Sequence, residues 1–145
     1  INGRRLANAP EIQRSSALHE LGHAIFDMPA VLGAKVKRSY RTTSAPFGKA
    51  APVPFSWSEW RANTFMGAFL VPERRLGRML MREAPSLGFT LRWTEVEGVT
   101  RPRIRAHAGD ERLGILADQL AVIFGVTSSF IAVRLKKCGF IIGEN

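Results

Sequence analysis

The chain has one cysteine, one tyrosine, few acidic residues and no long apolar run. With Cys138 alone, no internal disulfide framework can form, and such cysteine usage fits a reducing compartment. No stretch approaches the roughly 20 apolar residues of a membrane span, and Ile1-Asn2-Gly3-Arg4-Arg5 lacks a signal-peptide core, so a cytoplasmic location and no membrane partner are expected. The chain starts at Ile1, which points to missing upstream sequence. Only 12 Asp+Glu stand against 21 Lys+Arg, a formal net charge of +9. That balance favours an acidic partner, a nucleic acid or an anionic surface, with a solvated basic face as the plain alternative. No repeat or low-complexity tract is present. At 145 residues and 46% hydrophobic, one compact domain over residues 1–145 with a substantial core is expected.

Residues 1–7 read as a strand edge or loop, and Asn8-Ala9-Pro10 leads into a first helix with Glu11 in its first turn; Pro29 is expected to stop it after Met28. Residues 31–43 read as partly extended and 45–54 as a loop able to border a groove. Helical spacing returns over 57–70, Pro72 separates it from a second helix at 73–83, and Leu87, Phe89, Leu91 and Trp93 alternate as in a strand. Glu97-Gly98 turns that strand into a second at 100–106, which Pro102 should confine to a sheet edge. From Asp110 a buried helix runs to Gly125, and Thr127 caps a last helix to Lys137. The expected fold is α+β: a mostly helical body, a small antiparallel sheet and a C-terminal helix-turn-helix-like pair.

Inside the first helix stands His19-Glu20-Leu21-Gly22-His23. Histidines four apart share a helix face and can bind one zinc, with Glu20 placed beside the water such a metal activates. This is the core of a metallopeptidase site; the alternative is a chance match on an ordinary amphipathic helix. A catalytic zinc takes three protein ligands, so a third must come from elsewhere. Glu59, at the start of the next long helix, is the leading candidate, and His107, in a basic segment, competes with it. A metzincin arrangement is excluded, because it needs Gly where Phe26 stands and His where Pro29 stands.

Residues 15–24, Ser-Ser-Ala-Leu-His-Glu-Leu-Gly-His-Ala, followed by Glu59-x-x-Ala62-Asn63-x-Phe65 and Leu70-Val71-Pro72, resemble the ImmA/IrrE family of metallo-endopeptidases. Phe124-Gly125-Val126-Thr127 and Arg134-Leu135-x-x-x-Gly139-Phe140 are similar to that family's ending; 30–56 and 85–109 look longer than its minimum. The resemblance implies a zincin-like fold, zinc held by His19, His23 and Glu59, and Glu20 as the catalytic carboxylate. It also implies a protein substrate, such as a DNA-binding transcriptional repressor. Asn63, one turn after Glu59, either orients that ligand or packs; Tyr40, His107 and several arginines compete as oxyanion donor.

Two other readings stand beside this one. The C-terminal pair offers Ser128, Ser129, Arg134, Lys136 and Lys137 as DNA contacts, although Phe130, Ile131, Val133 and Leu135 leave little of that helix polar. A degenerate, noncatalytic scaffold is the other, against which both histidines and Glu20 are intact. Arg101, Arg103 and Arg105 either grip an acidic partner or form an alternating charged strand face.

Overall fold

The computed structural model describes residues 9–33, 56–96, 98–107 and 109–143. Among them run α1 (Pro10–Gly33), α2 (Trp57–Leu70), α3 (Glu73–Glu83), a 3-10 turn (Ala84–Leu87), β1 (Arg92–Val96), β2 (Val99–Ala106), α4 (Glu111–Phe124), α5 (Ser128–Lys137) and β3 (Ile141–Gly143). The fold is α+β. Two compact units are distinguished, Ser16–Met66 on the one hand and Ile1–Ser15 with Gly67–Asn145 on the other. Of the segment 31–43 expected to be partly extended, residues 31–33 belong to α1; the rest of it, with 1–7, 45–54 and Tyr40, lies outside the described residues.

The unit containing Gly67–Asn145 is held by an apolar core. Leu76 and Leu80 of α3, Leu116 and Leu120 of α4, and Ile131 and Leu135 of α5 are fully buried. Their four-residue spacing places each pair on one helix face, and Ile104 enters from the inward face of β2. Each such side chain contributes about 1.5–3 kcal/mol of burial. Asp110 caps α4 by accepting from the Arg112 N–H, and Thr127 caps α5 by accepting from the Phe130 N–H. Between these helices Gly125 adopts a left-handed φ of 63°, the conformation a Cβ disfavours, and the two axes differ by 103°.

Four local expectations are corrected. Pro29 does not end α1, which continues to Gly33; the ring forfeits only the bond its own nitrogen would give to the Ile25 carbonyl, four residues from the helix end. Pro102 does not lie on an edge strand, because the sheet order is β1-β2-β3. β1 pairs with β2 antiparallel, as expected of the hairpin, and β3 joins β2 parallel, so the sheet is mixed. The Ile104 N–H donates toward the β3 side, to the Phe140 carbonyl at 2.9 Å, and β3 pairs only with Ile104–Ala106. The nitrogen of Pro102, two residues earlier, faces that same side beyond the reach of β3, so no ladder bond is lost. The alternation over Leu87 and Phe89 is a 3-10 turn ended by Gly88 at φ 77°, and the strand begins at Arg92.

Among the described residues no single helix is long and apolar enough to cross a membrane. Leu120→Ala should cost about 2–5 kcal/mol in urea unfolding, whereas Val122→Ala, at a position 84% exposed, should stay within about 0.5 kcal/mol. Hydrogen bonds from Arg112 hold the Asp110 carboxyl below its usual range. Its folded pKa therefore lies under the unfolded value of about 3.9, so its contribution is complete above that pH and fades as pH falls through the folded value. The difference in urea midpoint between wild type and Asp110→Ala should accordingly shrink on acidification; a constant difference would contradict this.

Candidate metal centre

Within Ser16–Met66, α1 contributes His19 and His23 and α2 contributes Glu59 in its first turn. The ligand atoms of these three residues lie within 4.8 Å of one another. His19 Nε2 is 3.1 Å from His23 Nε2 and 3.2 Å from Glu59 Oε2, and His23 Nε2 is 3.3 Å from Glu59 Oε1. An ion bonded to three tetrahedral donors at about 2.0–2.1 Å would hold them about 3.3–3.4 Å apart. The two imidazole nitrogens stand close to that spacing and the Glu59 carboxylate straddles them, one oxygen toward each, so a small turn of the carboxylate would bring three donors around one ion with a position left for water or substrate.

The helices meet where the ligands are. A Cβ built on Gly22 would lie 2.9 Å from Ala62 Cα and 3.2 Å from its carbonyl oxygen. Both residues are buried, and the atom in the way is backbone, which cannot swing aside. Gly22 directly precedes His23 on α1, and Ala62 follows Glu59 by three residues on α2, so this backbone approach brings the carboxylate to the imidazoles. Phe26 packs edge-on against Phe65 at 5.9 Å along the same pair of helices. Ser56 begins α2 by accepting a long 3.4 Å bond from the Glu59 N–H.

No family model, curated protein or solved structure matches this chain. The physical content of the site lies in its own residues.

A carboxylate absent from the sequence reading completes the cluster. Asp27 follows His23 by one helical turn, its side chain is only 11% exposed, and its Oδ2 accepts from His23 Nδ1 at 2.8 Å. A carboxylate can only accept, so Asp27 favours the proton on Nδ1, the tautomer that would leave Nε2, on the side of His19 and Glu59, to a metal. Ser58 donates to the same Asp27 oxygen, and Arg61 Nη2 donates to Oδ1 at 2.8 Å. The Ser58 hydroxyl, the His23 hydrogen bond and the Arg61 charge hold the Asp27 carboxyl below its usual pKa, outweighing its burial. The i+4 step from His23 to Asp27 was the signal available in the sequence; Ser58 and Arg61 acquire meaning only once α2 is packed.

The other candidates fall elsewhere. Glu20 is exposed, about 100° around α1 from His19 and about 60° from His23, so it stands beside the donor set without joining it. His107 is exposed after β2, and its carbonyl accepts the Asp110 N–H at 3.2 Å; it is not part of the candidate group. Asn63 is exposed, and among the described residues no hydrogen bond ties it to Glu59.

Gly22→Ala sets two effects against each other: helix propensity gains about 1 kcal/mol, and overpacking against backbone costs about 1–3 kcal/mol. The clash should win, lowering stability and weakening zinc binding together; tighter zinc binding would contradict the close approach. Asp27→Asn should weaken zinc binding by about 10–100-fold in a chelator competition.

Proposed function

We propose that this chain is a zinc-dependent endopeptidase, with His19, His23 and Glu59 as metal ligands and Glu20 as the catalytic carboxylate. The observation that carries the reading is the two-helix cluster of two imidazoles with a carboxylate straddling them, beside an exposed glutamate on the adjoining helix face. When bound, zinc would polarise the scissile carbonyl and lower the pKa of water toward about 7. Asp27 keeps His23 in the tautomer whose Nε2 is a ligand. Glu20 takes the proton from the attacking water as the carbon–oxygen bond forms. It then delivers that proton to the departing amine as the carbon–nitrogen bond breaks, and returns to a carboxylate.

The sequence resemblance to the ImmA/IrrE family supports a zincin-like domain acting on a cytoplasmic regulatory protein, with a DNA-binding repressor as the substrate class. Direct DNA reading by α4 and α5 has less support. Ser128 donates to Asp118, and Arg134 Nη2 donates to the Val71 carbonyl at 3.0 Å, so both are engaged inside the fold. Ser129, Lys136 and Lys137 remain as exposed polar positions on α5.

Purified chain should carry about one zinc, lost in Glu59→Ala and retained in Glu20→Gln. Stoichiometric zinc surviving Glu59→Ala would sink the ligand assignment. Against candidate repressors, wild type should cleave and zinc-loaded Glu20→Gln should be slower by about 100-fold or more. Equal cleavage by both would remove Glu20 from its role.

A further inference from the structure

The second concentration of chemistry is on the hairpin, within Gly67–Asn145. Burial alternates along β2, with Pro102, Ile104 and Ala106 inward, so Arg101, Arg103 and Arg105 share the opposite face. The register sets Arg103 directly across from Arg92 of β1. Like charges so placed destabilise a strand pair. Arg101 is compensated, by Glu73 at 3.2 Å and by the Cys138 carbonyl at 2.9 Å. Arg92, Arg103 and Arg105 have no ion-pair partner among the described residues, and Arg103 Nε is buried without an acceptor.

Arg92 and Arg105 line one cavity of about 310 Å³ together with Arg112, Thr90, Gly88 and Phe89. Arg112 is held in place there: Nε and Nη2 donate to the two Asp110 oxygens at 3.0 and 2.8 Å, and the guanidinium stacks 4.6 Å from the Phe89 ring centroid. Asp110 offsets Arg112, and among the described residues Arg92 and Arg105 carry two further positive charges with no ion pair.

We propose that this cavity binds the dianionic phosphate of a small phosphomonoester. Such a group carries about −1.5 to −2 at pH 7, which matches the excess. The planar forks of Arg92 and Arg105 suit its oxygens, and Arg112, whose Nε–Nη2 edge is taken by Asp110, is already ordered, so less freedom is lost on binding. The volume is at the low end for small-molecule pockets, enough for one phosphoryl group and a small organic remainder. An anion there also offsets the Arg92–Arg103 repulsion. The site is independent of the peptidase reading and uses none of its residues.

The probe is phenyl phosphate, titrated into the full chain at constant ionic strength, followed by arginine Nε–Hε NMR signals and thermal unfolding. Binding should saturate with a Kd on the order of millimolar or tighter, shift Arg92, Arg105 and Arg112, and be competed by inorganic phosphate. Arg92→Gln and Arg105→Gln should each weaken it about tenfold or more without lowering the Tm of the unliganded chain, while Arg78→Gln on α3 should not. Arg92→Lys, which keeps the charge and loses the fork, should also bind more weakly, and serves if Arg92→Gln is unstable. Absence of saturation, or wild-type affinity in the Arg92→Gln/Arg105→Gln double variant, overturns the proposal. So does a duplex oligonucleotide that binds this face and is not displaced by phenyl phosphate, which would assign the arginines to a nucleic-acid backbone.

Discussion

The contact between Gly22 and the backbone of Ala62 is the constraint on which the His19, His23 and Glu59 cluster depends. Helix axes carrying larger side chains at the crossing stand 8–10 Å apart, and a carboxylate as short as glutamate's spans little of that gap while still meeting two imidazoles. A residue without a Cβ opposite one with only a methyl removes the obstacle. The cost is a glycine in a helix interior, about 1 kcal/mol, borne where an alanine would push the imidazoles and the carboxylate apart.

The two units are stabilised by interactions of different character. Between α3, α4, α5 and β2 the cohesion is apolar and non-directional, and substitution by a similar volume is tolerated best. Along α1 and α2 it is polar and directional: Asp27 is nearly out of solvent and accepts from His23, Ser58 and Arg61 at once. Hydrogen bonds to a charged group contribute about 1.5–3 kcal/mol each, and removing one partner leaves a buried charge under-satisfied. Such an arrangement has one low-energy geometry, as a ligand set requires.

Local signals carried far in this sequence, and tertiary ones did not. Pro72, Gly125 and Thr127 fix chain direction through their own backbone or side-chain chemistry, so the boundaries of α3, α4 and α5 were readable from neighbouring residues. His19, His23 and Glu20 were readable because a helical period relates them. Asp27 was equally local but carried no mark of burial. Pro102 misled for a related reason: whether its nitrogen lacks a partner depends on how far β3 extends, which is written some forty residues downstream. Arg134 looked like a groove contact by type and is instead a tie to the Val71 carbonyl, a use visible only in three dimensions.

Ser58, Glu59 and Arg61 all lie within the first five residues of α2. A helix leaves its first four N–H groups without intrahelical partners, and here Ser56 reaches one of them at 3.4 Å. Beyond that bond, Ser58 and Arg61 tie the start of α2 to Asp27 through their side chains and not through its backbone. The cluster therefore sits at the end of α2 whose first N–H groups have no partners within the helix, and an ion gripping Glu59 and both histidines would act as a clasp on that end. Amide exchange across α2 would then run from fast to slow along its length in metal-free protein, and level out once the clasp is shut.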